Sequence, residues 1–310
     1  GTSNFRAGVN AGNSIQSGGN FNTVLGDEAG TAITTGDDNV AVGYAAGDAM
    51  TTGSYNAIVG KNSGGAITTG VENVSVGWNS LDALTEGGQN VALGASALGS
   101  DTLGSRSVAV GYQALTTQNF TTATDAHNTA VGYKAGEAVT TGANNTIIGA
   151  NTGLVLTSGS NNNLIGGLAG DALTTGHSNN IMGVSCGTAL TDADYNVAIG
   201  QQALNSDTLG SQTVAIGSFA LSAQNYTTAT NSLNTAVGYA AGAAINGSAA
   251  GAGDQNTLIG GLTGDALTIG RRNAAIGVVA LSADTAGSLS VAMGYGALNA
   301  QNFSTATDTY

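Results

Sequence analysis

The sequence has no proline and one cysteine, and of its 310 residues only 8% are charged and 5% aromatic. Each shortage excludes something. Without proline or a strict three-residue period, the 50 glycines do not make a collagen, although glycine stands at roughly twice its usual share of about 7%. A disordered linker needs low hydrophobicity and dense charge, whereas 41% of this chain is hydrophobic. Cys186 has no partner for an internal disulfide, so cysteine usage leaves the redox compartment open. No apolar run approaches the ~20 residues of a membrane span, and membrane insertion is not expected. Six basic residues against 19 acidic ones give a net charge of −13, which repels phosphate backbones and makes nucleic acid an improbable partner. The start, Gly-Thr-Ser, carries neither an initiator Met nor a signal peptide, so the sequence reads as a processed product or a piece of something longer.

What the chain has is repetition. The pentapeptide Asn-x-Ala-aliphatic-Gly recurs throughout, its glycines standing at 26, 43, 60, 77, 94, 111, 132, 149, 166, 183, 200, 217, 238, 260, 277 and 294. Twelve of the fifteen intervals are 17 residues, and the exceptions are 21, 21 and 22. Asn4 to Gly8 is a degenerate earlier copy. A longer period is superimposed, since segment 107–136 returns 106 residues later and its first part returns from Ser290. The whole of 1–310 therefore reads as a single array with no separate globular domain, its longer coils near 116–127, 222–233 and 243–254.

Two glycines in every 17 residues exclude a helix, which needs a 3.6-residue period sustained over ten or more positions. The unit carries two short apolar stretches, each ended by glycine. Two short strands and two turns make one coil of a parallel β-solenoid, so the expected fold is all-β, with about 17 coils at roughly 4.8 Å spacing and a rod on the order of 80 Å long. The residue before each motif glycine is aliphatic in all sixteen copies, and the one before that is Ala, Val, Ile or Leu except at Ser75. Successive strand residues point to opposite faces, so the strand is apolar on both. One face fills the coil. The other, left in water, would exceed the few hundred Å² of apolar patch usual on a soluble monomer, and a homotrimer, intertwined or side by side, is the expected remedy.

Two polar columns have architectural readings. Four residues before the motif glycine stands Asn in thirteen copies, replaced by Ser107, Thr213 and Ser290, and stacked Asn side chains can hydrogen-bond along a ladder. Nine before it stands Thr, as at Thr34, Thr51, Thr68 and Thr85, a residue suited to strand surfaces.

Runs such as NTAVGYKAG, TTGANNTIIG and NTLIGGLTGDALTIG resemble the repeat shafts of bacteriophage tail fibres and other virion fibre proteins. The pentapeptide is also similar to the repeat of trimeric autotransporter adhesin heads, whose coil is shorter. The resemblance covers nearly the whole chain. It implies a trimeric rod that carries or forms a host-attachment element on a virion or a cell surface, without catalysis, and with a cell-surface glycan or receptor as partner.

Residues for chemistry are sparse. His127 and His177 lie in an insertion and a turn, without a nucleophile arrangement, and Cys186 has no basic neighbour in sequence to activate it. Asp48, Asp82, Asp171, Asp265 and Glu137 share a column five residues after a motif glycine, which reads as a turn before it reads as a glycosidase pair. No catalytic residue, cofactor or metal ligand is assigned. The candidate glycan or receptor contacts are aromatic: Tyr44, Trp78, Tyr112, Tyr133, Tyr239 and Tyr295 all follow a motif glycine, and Phe120, Tyr226 and Phe303 sit in Thr-rich insertions. Asn119, Asn225 and Asn302 each begin an N-x-Ser/Thr sequon in those insertions.

The leading expectation is a virion fibre. The alternatives are a bacterial surface adhesin head, a subunit of an extracellular head-to-tail filament, suggested by the matching register of the two chain ends, and an ice-binding Thr array.

Overall fold

The computed structural model describes residues 2–247 and 251–309. The chain divides into two compact units, 1–158 and 159–310. Each is a parallel β-solenoid, and among the described residues there are strands and no helix. Between them the units hold about 18 turns of about 17 residues.

Each coil contributes one three-residue strand that ends just before the motif glycine. In the first unit these run from Phe5–Ala7 and Thr23–Leu25 through Val40–Val42, Ala57–Val59 and Val74–Val76 to Thr146–Ile148. In the second they run from Asn163–Ile165 to Val291–Met293. Neighbours pair in parallel at the repeat spacing, as Val40 with Ala57, Ala41 with Ile58 and Val42 with Val59. The middle residue of each strand points inward: Ala41, Ile58, Ala92, Ala109 and Ile147 are fully buried, as are Ile181, Ala198 and Ala236 in the second unit. The residues on either side of it face outward.

Among the described residues the expected second strand forms in three places, as two-residue pieces: Gly104–Ser105 pairs with Thr124–Asp125, Gly210–Ser211 with Thr230–Asn231, and Gly287–Ser288 with Thr307–Asp308. Elsewhere the other wall of the coil is made of turns. The cause is backbone alternation after the motif glycine. Gly43 has φ 133°, Ala45 51° and Gly47 56°, so the chain bends at every second residue and never runs extended. The turns still stack by main-chain hydrogen bonds, Thr34 N–H to the Thr51 carbonyl at 2.9 Å and Asn62 N–H to the Tyr44 carbonyl at 3.0 Å.

Motif glycines are required by contact as well as by φ. A Cβ on Gly43 would lie 2.6 Å from the carbonyl oxygen of Gly60, and one on Gly26 would lie 2.5 Å from that of Gly43. At this column adjacent coils come so close that only a residue without a side chain fits.

The interior is filled by compensation. Where the fourth residue after the motif glycine is Gly, the seventh is a large apolar residue, as with Gly47 and Met50, Gly64 and Ile67, or Gly170 and Leu173. Where the fourth is Leu, the seventh is usually polar: Leu98 with Asp101, Leu115 with Gln118, Leu204 with Asp207, Leu221 with Gln224. Leu81 and Leu84 occur together. There the strand centre shrinks to Ser75, whose hydroxyl is satisfied by Ser63 at 2.8 Å and Ser80 at 2.7 Å.

Both polar columns are architectural. Asn39, Asn56 and Asn73 are buried, and the side-chain amide of Asn56 donates to Asn39 Oδ1 at 3.2 Å and to the Gly70 carbonyl at 2.9 Å. The Thr hydroxyls donate to the carbonyl one coil on, Thr34 to Thr51 at 3.1 Å and Thr51 to Thr68 at 3.0 Å. Those hydroxyls are engaged within the wall and do not form a free Thr array.

Candidate functional site

The outward strand face is built by two columns, three residues and one residue before each motif glycine. In the first unit it pairs Thr23 with Leu25, Val40 with Val42, Ala57 with Val59, Val74 with Val76, Val91 with Leu93 and Val108 with Val110. Leu25, Val40, Val59 and Val76 are between 36% and 44% exposed. The second unit repeats the pattern with Met182, Ile199, Ile259 and Ile276 exposed to the same degree. Neither face carries a charge. On the outer face the column just before the motif glycine is aliphatic in every coil, whereas the column three before it mixes aliphatic residues with Thr and, at Asn163 and Asn180, exposed Asn; this outer side lies open in the single chain.

The aromatic column flanks this face. Tyr44, Trp78, Tyr112, Tyr133, Tyr239 and Tyr295 are between 46% and 85% exposed, because the residue after the motif glycine begins the turn and points out of the wall. Tyr112 and Tyr133, on consecutive coils, stack with centroids 5.6 Å apart and rings 13° from parallel. Lys61 and Lys134 lie 5.8 Å and 5.9 Å from the ring centroids of Tyr44 and Tyr133. Tyr239 meets Phe219 edge-on at 6.0 Å.

Two of the insertion aromatics are elsewhere. Phe120 is 7% exposed and Tyr226 1%, so neither is a surface contact, and both fill the wider interior of a lengthened coil. The four extra residues enlarge the cross-section, and a ring is what fills it. Tyr226 is covered by the next coil, itself lengthened: its ring lies against Gly247 and its hydroxyl donates to the Ala252 carbonyl at 3.3 Å. Residues 248–250 of that stretch, 243–254, lie outside the described residues. Phe303 is half-buried. Solvent meets the Thr-rich rims instead, with Thr121 and Thr122 exposed and Asp125 paired to Arg106 at 2.6 Å.

A cleft of about 500 Å³ opens in the first unit over Gly65, lined by Glu28, Tyr44, Asp48, Asn62 and Asp82. The carboxylates of Asp48 and Asp82 reach toward Gly65 from the coils on either side, their Oδ1 atoms 3.6 and 2.9 Å from where a Cβ would stand. Burial raises both carboxyl groups above their ordinary value, and for Asp48 the facing charges of Glu28 and Asp82 add to it. Asp171 and Asp265 share the column singly, each with a buried, unpartnered Oδ1, and Glu137 pairs with Lys134 at 3.0 Å.

The chain matches no protein-family model, no curated protein and no solved structure. Its chemistry is read from its own residues.

His177 accepts the Ser160 N–H through Nδ1 at 3.0 Å, a turn contact, and His127 lies exposed on its insertion. Cys186 is buried, its thiol donating to the carbonyls of Ala198 and Ala203 at 3.2 and 3.4 Å, and burial pushes its pKa up to about 12. Among the described residues no group of three or more His, Cys, Asp or Glu could hold a metal ion, and no helix is long and apolar enough to cross a membrane.

Sequence reasoning missed the polar interior of the lengthened coils. Asp101 Oδ1 accepts the N–H of Gly104 and that of Phe120, both at 3.0 Å, and Asp207 does the same for Gly210 and Tyr226. The signal was present in the ladder: Ser107, Thr213 and Ser290, which replace its Asn, each precede a Gln by eleven residues.

Proposed function

We propose that the chain is a structural segment of a virion fibre, a non-catalytic rod that assembles as a homotrimer and carries or forms the element that attaches to a receptor on the host cell surface. The observation that carries this reading is the aliphatic column just before the motif glycine, uncharged and unbroken in every coil of both units and set on the outward strand face. A stripe of that length is larger than the apolar patches soluble monomers expose, and copies of the same repeat present a self-complementary surface of matching period. The resemblance of the repeats to tail-fibre shafts supports the virion setting. Tyr44, Trp78, Tyr112, Tyr133, Tyr239 and Tyr295, exposed beside the stripe, are suited to stacking on sugar rings of a surface glycan.

Light scattering tests the assembly: three chains per particle are expected, and a monodisperse monomer overturns it. Adsorption of the fluorescently labelled chain to a panel of bacterial cells tests attachment, with binding lost after periodate oxidation of surface sugars as the expected result. Absence of binding to every cell type, with the trimer intact, would leave a rod without the attachment role.

A further inference from the structure

Two lengthened coils repeat one buried constellation of four side chains, and three of its members recur near residue 300. In the first, the amide nitrogen of Gln118 donates to Ser107 Oγ at 3.1 Å and to Asp101 Oδ2 at 2.5 Å, while the Asn128 amide donates to Gln118 Oε1 at 2.8 Å. In the second, Gln224 donates to Thr213 Oγ1 at 3.2 Å and to Asp207 Oδ2 at 2.6 Å, and Asn234 donates to Gln224 Oε1 at 2.9 Å. In the partial one, Gln301 donates to Ser290 Oγ at 3.0 Å and to Asp284 Oδ2 at 2.7 Å. Asp101, Ser107, Gln118 and Asn128 are at most 1% exposed, as are Asp207, Thr213, Gln224 and Asn234.

The residue pattern is selective. Of the sixteen coils with a motif glycine, only the three with a hydroxyl residue in place of the ladder Asn carry Gln seven residues after that glycine, and each is preceded by a coil with Asp at the same place. A hydroxyl, a carboxamide and a carboxyl group thus meet in the interior, and at Gln118 and Gln224 an amide donor also sits on the carboxamide oxygen.

We propose that the two complete sites form intramolecular ester crosslinks, Ser107 to Gln118 and Thr213 to Gln224, each with release of one ammonia. The hydroxyl oxygen attacks the side-chain carbonyl carbon of the glutamine, and the charge that develops on Oε1 falls where Asn128 or Asn234 donates. The C–N bond then breaks. The carboxyl group of Asp101 gives a proton to that nitrogen, and the hydroxyl proton passes back to the carboxyl by way of the same nitrogen, which contacts both Ser107 Oγ and Asp101 Oδ2, so that ammonia leaves and the acid is restored. This role needs the protonated carboxyl, and burial raises Asp101 and Asp207 in that direction against the hydrogen bonds they accept. Burial also keeps bulk water from the product ester. Each bond would tie the strand side of a lengthened coil to its opposite wall.

The test is the intact mass of the purified 310-residue chain, unfolded in denaturant so that only covalent links persist. The expected mass is below that of the sequence by one ammonia per bond, up to two. Trypsin cuts after Arg106 and Lys134, so Ser107 and Gln118 share peptide 107–134, which should lack fragment ions from backbone breaks between the two and should yield a hydroxamate at Gln118 with hydroxylamine. Ser107→Ala restores one ammonia to the mass without placing a larger group in the interior. A wild-type chain that keeps its full sequence mass after days in mildly acidic and neutral buffer overturns the proposal. Ammonia loss mapped to an asparagine imide, with unbroken fragment series between 107 and 118, overturns it equally.

Discussion

Asn56 Oδ1 accepts two hydrogen bonds from Asn73 one coil on, from its main-chain N–H at 3.0 Å and its side-chain amide at 3.1 Å. Asn56 also donates to the Gly70 carbonyl, so one buried residue satisfies groups on two other segments. Replacing it with Leu, of similar size, orphans the Asn73 N–H and the Gly70 carbonyl. A cost of about 1–3 kcal/mol for each group is expected, read as a lower urea midpoint. Unchanged stability would show that the ladder is ornamental.

Two glycines of the first unit make a paired test. Gly43→Ala demands a positive φ of an alanine and drives its Cβ into the Gly60 carbonyl, with about 1–3 kcal/mol of backbone strain before the clash is counted. Gly65→Ala meets a movable side-chain atom, Asp82 Oδ1 at 2.9 Å, at a φ outside the left-handed region. Thermal denaturation should show a large loss for the first and a small one for the second; equal losses would contradict the packing of the glycine column.

Aromatic residues of similar sequence setting should behave oppositely. Phe120→Ala removes a ring from the interior, at about 3–5 kcal/mol, whereas Tyr44→Ala acts on the surface and should stay within about 0.5 kcal/mol. Chemical denaturation of the two variants decides the matter, and a mild Phe120 variant would place that ring outside the wall.

Acid should stabilise this protein over a range where it weakens many others. Asp48, Asp82, Asp101, Asp171, Asp207 and Asp265 all have carboxyl groups raised above the ordinary 3.8, with burial as the largest cause in each. Their folded forms bind protons more readily than their unfolded forms. Stability from this source is fully present below the ordinary value and is lost as pH rises through the raised ones. The net charge of −13 acts in the same sense, because protonation relieves self-repulsion. The melting temperature should climb as pH falls from neutral toward 4. A steady decline over that interval would refute the assignment.

The fold was legible where a residue repeats for a reason of contact. The motif glycines, the Asn ladder and the aliphatic column before each motif glycine are each set by one coil touching an identical coil, so the 17-residue period displays them directly. The second wall was not legible: Ala-aliphatic-Thr-Thr has strand composition, yet the left-handed residues just before it, such as Ala45 and Gly47, leave no room for an extended run. Phe120 and Tyr226 were misplaced because a polar, Thr-rich insertion suggests a loop leaving the wall, whereas the added residues widen the coil and draw the ring inside. Asp101 and Gln118 escaped notice because a buried polar pair is defined by partners eleven to nineteen residues away, which a column-by-column reading treats as separate substitutions.

The seat of Tyr226 against Gly247 sets a limit on how such a gene can change length. Between coils that share the pairing of Gly with a large apolar residue, as at Gly47 and Met50 or Gly170 and Leu173, junctions are alike, so unequal recombination can add or delete a 17-residue module and leave each new neighbour a familiar surface. From 217 to 260 that freedom ends. A crossover there would part an oversized coil from the neighbour that receives its ring, and duplication should spare this stretch while the regular coils multiply around it.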